Sequence, residues 1–177
     1  MKILVVDDQP EYLRPYRSTF ATNNIDLRVA IDLNQAWQII KNGKESGKKH
    51  DEQGYKVFDL IVIDIAFDAP AREFKHEQDL IHDHLVRRGY GGLAISGQAL
   101  GLRLWKQRGT LKQPYCYTTN HQDLWIQDIP AEEAEFGGGD ASNHHTVIDK
   151  ASLWPGSIIT TIESAVSEWV SKPWLHH

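Results

Sequence analysis

The sequence predicts a single α/β domain, a doubly wound five-stranded parallel sheet with helices on both faces. Three observations carry this. Five short β-rich runs recur along the 177 residues, separated by stretches of helical periodicity, the pattern of a parallel sheet with crossover helices. Two of the runs, Ile3-Leu4-Val5-Val6 and Leu60-Ile61-Val62-Ile63, are apolar at every position, as in strands covered on both sides. The length is about 1.2 times the usual domain, enough to bury roughly 70% of the unfolded surface.

Taken in order, residues 3–6 form the first strand. Gln9-Pro10 follows, with proline suited to a helix's first turn. Tyr12, Leu13, Tyr16 and Phe20 then recur at helical spacing, predicting a helix over 10–22. Ile25 to Ala30 alternates and reads as a half-exposed second strand. Leu33 to Ile40 is amphipathic through Leu33, Ala36, Trp37 and Ile40, and Gly43 is expected to stop it. Residues 44–54 are polar and glycine-containing, the composition of an exposed loop. Val57 to Phe67 contains the most apolar stretch and supplies the central strand, ending near Asp64.

Residues 68–92 mix charge and histidine around a helix-like middle and end in Gly89, Gly91 and Gly92. Gln98 to Arg108 is a helix that turns Leu100, Leu104 and Trp105 inward. Pro114 to Thr118 is the fourth strand. His121 to Ile129 has a helical pattern broken by Pro130, and Gly137-Gly138-Gly139 is a flexible break. Thr146-Val147-Ile148 is the fifth strand. Ile158 to Val170 is the last helix, its apolar face Ile158, Ile159, Ile162, Ala165, Val166 and Trp169. The domain is expected to span 1–171. Residues 172–177 are a tail whose Leu175-His176-His177 ending reads as tag-derived.

Composition excludes several classes. Nineteen Lys plus Arg against 24 Asp plus Glu give a net charge of −5, which offers no bulk attraction to a phosphate backbone. Hydrophobic content of 41% and charged content of 24% argue against disorder. No apolar run approaches the roughly 20 residues of a membrane span. The start, Met1 to Asp8, has too short an apolar stretch for a signal peptide. One cysteine, Cys116, leaves no internal disulfide and no multi-cysteine zinc site. A cytoplasmic protein with no membrane and no direct nucleic-acid partner is expected.

The chemistry gathers at strand ends. Asp7 and Asp8 follow the first strand, Asp64 ends the third, Thr118 the fourth, and Lys150 follows the fifth. Open parallel sheets bind ligands beyond the carboxyl ends of their strands, so these residues are expected at one edge. Neighbouring carboxylates repel by roughly 4 kcal/mol at about 4 Å with an effective dielectric near 20. Either their pKa values rise or a cation joins them. An all-oxygen set favours Mg²⁺, a lysine suits a phosphate, and a threonine hydroxyl can donate to a phosphoryl oxygen. The set points to phosphoryl transfer with an aspartate acceptor, and Asp64 is the candidate because it ends the central strand.

The segments Val5-Val6-Asp7-Asp8-Gln9-Pro10, Phe58-Asp59-Leu60-Ile61-Val62-Ile63-Asp64, Tyr117-Thr118 and Val147-Ile148-Asp149-Lys150 resemble the receiver domain of two-component response regulators. That resemblance implies a flavodoxin-like strand order of 2-1-3-4-5 and a Mg²⁺ site of Asp7, Asp8, Asp64 and the Ala66 carbonyl. It implies Asp64 as phosphoacceptor from a histidine kinase or phosphotransfer protein, with Thr118 and Lys150 on the phosphoryl oxygens. The domain would not be an enzyme beyond its own phosphorylation and dephosphorylation. Output would run through a downstream protein partner or through domains beyond this chain.

The chain also departs from that pattern. Thr118 stands 54 positions after Asp64, and the surplus falls at 68–96, an insertion between the third strand and third helix. The interval of 32 from Thr118 to Lys150 is also long. Ala151 stands where such domains carry proline, and Val147 where many carry an aromatic switch residue. Two other readings stay open: a receiver-like interaction module that is not phosphorylated, and a Mg²⁺-dependent phosphohydrolase. The second lacks the adjacent Asp-x-Asp nucleophile motif. His76, His82 and His84 with Asp79 and Asp83 do not match a zinc signature and read as a solvated part of the insertion. Trp154 and Trp174 flank the last helix as a candidate homodimer or partner surface.

Overall fold

The computed structural model describes residues 1–47, 56–68, 71–87, 89, 95–120 and 147–170. The main sheet contains β1 (Lys2–Val6), β2 (Asp26–Ala30), β3 (Leu60–Asp64), β6 (Tyr115–Thr119) and β7 (Val147–Asp149). A separate pair, β4 (Ala66–Phe67) and β5 (Ile95–Ser96), lies between them in sequence. The five main strands are all parallel, in the order β2-β1-β3-β6-β7. Counted within the sheet alone this is 2-1-3-4-5. Every residue of β3 is buried, whereas β2 alternates, as their central and edge places require.

The first predicted helix is split. Pro10–Tyr16 is a 3₁₀ segment and only Arg17–Thr22 is α-helical (α1). Pro15 has no N–H to donate to the preceding turn, so regular α-helix begins only after it. Asn24, at φ 53°, turns the chain into β2, a conformation asparagine tolerates.

Gly43 does not stop the second helix: α2 runs over Leu33–Gly47. A Cβ at Gly43 would lie 2.2 Å from Val57 Cγ1. The glycine is there so that the approach to β3 can pass close by. The start of α2 is capped by Asp32, whose carboxylate accepts from the Gln35 N–H at 2.7 Å, while Gln35 accepts from Ile31 N–H at 2.7 Å. The first residues of the expected 44–54 loop are therefore helical, and 48–54 lie outside the described residues.

The insertion is built rather than merely solvated. β4 leaves directly after Asp64 and pairs antiparallel with β5. Between them stand a 3₁₀ turn, Arg72–Phe74, and α3 (Lys75–Arg87), which buries Glu77, Ile81 and Leu85. His76 and His82 are on its exposed side. Glu77 meets Arg103 of α4 (Gln98–Lys106) through two hydrogen bonds, at 2.9 and 2.7 Å. Burial pushes the Glu77 carboxyl up, but the Arg103 bonds and charge outweigh it and hold it below its usual range. The Arg103 guanidinium lies 3.9 Å from the Phe74 ring centroid and 5.3 Å from that of Trp37. The Gln78 amide donates to Ser96 C=O at 3.0 Å and accepts from Ser96 N–H at 3.2 Å.

Leu100, Leu104 and Trp105 of α4 are buried as the periodicity predicts. The last helix, α5 (Ile158–Val170), has the expected bounds and buries Ile158, Ile162, Ala165 and Trp169. Trp169 Nε1 donates to the Tyr115 carbonyl, locking α5 to β6. The expected helix at 121–129, the glycine break at 137–139 and the tail at 172–177 lie outside the described residues. No described helix is long and apolar enough to cross a membrane.

Candidate functional site

β1, β3, β6 and β7 end at the same edge, so their last residues converge. Asp64 is in register with Thr118, and Thr118 with Ile148. Carboxylate oxygens of Asp7, Asp8 and Asp64 lie within 4.8 Å of one another. Asp7 is fully buried and Asp64 is 6% exposed, while Asp8 is half-buried. The Lys150 ammonium bridges Asp7 Oδ2 at 2.6 Å and Asp64 Oδ2 at 2.7 Å. These residues span 143 positions of sequence, and strand placement alone brings them together.

Local structure fixes each acid. Asp7 donates its N–H to Ala30 C=O at 2.9 Å, extending the β1–β2 ladder by one step. Its Oδ1 accepts from Gln9 N–H at 2.8 Å, an Asx turn that points the chain into the Pro10 segment. Asp8 Oδ2 accepts from Asp68 N–H at 2.8 Å, tying the first residue beyond β4 to the site.

The β4–β5 pair orients Ala66. Gly97 N–H donates to Ile65 C=O at 2.9 Å, and the groups of Ser96, opposite Ala66, are taken by Gln78. Ala66 is thus at a non-hydrogen-bonded position, and its own N–H and C=O face away from β5. The Ala66 N–H bonds the Asp64 carboxylate. Gly97 approaches so closely that a Cβ there would lie 1.7 Å from the Asp64 carbonyl oxygen. Only glycine permits the insertion to rejoin the domain at this point.

Burial raises the Asp64 carboxyl to about 6, and Asp7 adds to the rise; Lys150 and the Ala66 N–H oppose it. Thr118 is 1% exposed and its Oγ1 has no hydrogen-bond partner. A buried hydroxyl without a partner costs roughly 1–3 kcal/mol. The ligand atoms are all hard oxygens, the Lys150 ammonium is the cation on Asp7 and Asp64, and Asp8 is half-buried. Asp7, Asp8 and Asp64 could together hold a divalent metal ion.

Two contributors were not read from the sequence as site residues. Gly97 carries no signal in sequence alone. Tyr12, read only as a helical core position, has its ring 4.9 Å from the Lys150 ammonium. Burial, Asp7 and Asp64 raise its phenol far above the ordinary value, so it is a neutral donor. Among the described residues the acid cluster is the only group of three or more such ligands, and the histidines of α3 form none.

This fold is that of response regulator receiver domains. A receiver domain protein from Clostridium thermocellum superposes with a TM-score of 0.53 at 14% identity, over 94% of each chain. A CheY-like receiver domain protein from Methanospirillum hungatei gives 0.50 at 16% identity, over 96% of this chain and 95% of the other. NtrX from Brucella abortus gives 0.53 at 17% identity, with 96% of this chain matching 27% of that larger protein. No protein-family model matches the sequence, and no curated protein matches it. At these identities the likeness establishes the architecture.

Proposed function

We propose that the protein is a phosphorylation-switched signalling receiver with Asp64 as its phosphoacceptor. The observation that carries this is the conjunction of Asp64, bridged by Lys150, with the unpartnered buried hydroxyl of Thr118 in the same register. A structural ion pair needs no such hydroxyl beside it.

In the proposed reaction an Asp64 carboxylate oxygen bonds to the phosphorus of a phosphohistidine. The phosphorus–nitrogen bond breaks, and the imidazole leaves with its electron pair. With its carboxyl raised to about 6, Asp64 is ionised at pH 7.5 yet scarcely solvated, which suits a nucleophile. Lys150 moves from bridging two carboxylates to holding a phosphoryl oxygen, and Thr118 Oγ1 donates to another. Asp7, Asp8, Asp64 and the Ala66 carbonyl would hold Mg²⁺, which would supply charge neutralisation to the phosphoryl oxygens when bound. The new negative charge then biases a two-state surface. We assign the donor as a histidine kinase or phosphotransfer protein and the reader as a second protein, in the cytoplasm.

One feature favours a receiver-like module that is not phosphorylated: Val147 leaves β7 without the aromatic that reads out the switch in many receivers. Titration with Mg²⁺ and beryllofluoride, a phosphoryl mimic, separates the two. The receiver reading requires saturable binding, followed by tryptophan fluorescence and abolished in Asp64→Ala. An unphosphorylated module gives no response in either protein.

A further inference from the structure

The Pro10–Tyr16 segment carries two tyrosines that face the Lys150 loop, and they make different contacts. Tyr16 Oη donates to the Leu153 carbonyl at 2.9 Å, holding the chain just beyond Lys150. Tyr12 packs edge-on against Tyr16, with ring centroids 6.5 Å apart. Its ring face meets the Lys150 ammonium at 4.9 Å, within cation–π range. On its other side Tyr12 lines an apolar cavity of about 20 Å³ with Val5, Val62, Thr118 and Ile148. It therefore stands between the Lys150 ammonium and the core.

We propose that Tyr12 is a positioning residue of this site: its ring seats the Lys150 ammonium. A phenylalanine would offer the ammonium the same face. A leucine would fill the core side but offer the ammonium no aromatic face. In the resting bridge Lys150 shares Asp7 and Asp64. The ring gives it a fixed place on the core side of the acids, leaving the Asp8 side open to a metal ion.

The inference rests on the receiver reading for its consequence in phosphoryl transfer, but its geometry is testable without it. The test compares wild type, Tyr12→Phe and Tyr12→Leu in the full chain by three readouts. These are the NMR shifts of the Lys150 ε-methylene protons, the Mg²⁺ affinity by calorimetry, and the phosphorylation rate with acetyl phosphate at saturating Mg²⁺. The Lys150 protons are expected to lie upfield through the ring current in wild type and Tyr12→Phe, and to lose that shift in Tyr12→Leu. Tyr12→Phe is expected to keep the wild-type Mg²⁺ affinity and phosphorylation rate, and Tyr12→Leu to be phosphorylated at least tenfold more slowly. Lys150 shifts and phosphorylation rates equal to wild type in Tyr12→Leu overturn the proposal. Should Tyr12→Leu fail to fold, Lys150 protons without an upfield shift in wild type overturn it alone. If no protein accepts a phosphoryl group while the shifts change as stated, the receiver reading falls and the positioning role stands.

Discussion

Replacing Asp64 by asparagine should make the metal-free protein more stable, and the gain should depend on pH. The folded state raises this carboxyl from 3.8 to about 6. Each unit corresponds to about 1.36 kcal/mol, so holding Asp64 ionised costs the fold about 3 kcal/mol. The sign follows from proton binding. Between the two values the folded state holds the proton more firmly than the unfolded chain, so stability falls as pH rises from about 4 to 6 and is level above. Asparagine is close to isosteric with the neutral acid and never ionises. Its advantage over wild type should be about 3 kcal/mol at pH 7.5 and about 1.5 kcal/mol at pH 5. In a chain of this size the first figure is roughly 6–12 °C in Tm. Urea denaturation of both proteins in EDTA at the two pH values measures it. Added Mg²⁺ should then narrow the gap at pH 7.5 by stabilising wild type more. An asparagine variant no more stable than wild type at pH 7.5, or a gap that does not change with pH, would refute the claim that burial dominates at Asp64.

Other expectations follow from single contacts. Gly97→Ala places a methyl 1.7 Å from the Asp64 carbonyl oxygen and 2.8 Å from Ile63 Cγ2; it should cost about 2–3 kcal/mol in urea denaturation and weaken Mg²⁺ binding by displacing the β3 end. Glu77→Gln should cost about 2 kcal/mol at pH 7, since Arg103 keeps its aromatic contacts and only part of a buried pair's penalty applies. Because Glu77 is held below its usual range, its contribution is present above the unfolded carboxyl value and lost as pH falls through the folded one, so paired urea titrations should converge in acid. Thr118→Val removes a hydroxyl that has no partner. It should leave stability unchanged or raise it by up to about 1 kcal/mol, while abolishing the fluorescence change on beryllofluoride binding.

Much of the fold was legible because strands that are buried on both faces write themselves as unbroken apolar runs. β1 and β3 were of this kind, and four strand ends pointed to Asp7, Asp8, Asp64, Thr118 and Lys150 before any geometry. What stayed hidden depended on contacts between distant segments. Gly43 looks like a helix stop locally, yet its role is set by Val57 across the sheet. Gly97 is one glycine among 13, and only the Asp64 carbonyl beside it shows why it is needed. The polar residues of 68–92 suggested a solvated excursion. Their binding to the core runs through Gln78, Glu77 and Arg103, polar pairs with no periodic signature. Tyr12 was visible as a helical position but not as a neighbour of Lys150, because the 3₁₀ winding before Pro15 alters which side chains face the strand ends.

The most direct test of the receiver assignment is intact mass after incubation with Mg²⁺ and acetyl phosphate, wild type beside Asp64→Asn. One added phosphoryl group is expected on wild type alone, and none when Mg²⁺ is chelated before the donor is added. Wild type without an adduct under conditions where Mg²⁺ binds, or an equal adduct on Asp64→Asn, would contradict it.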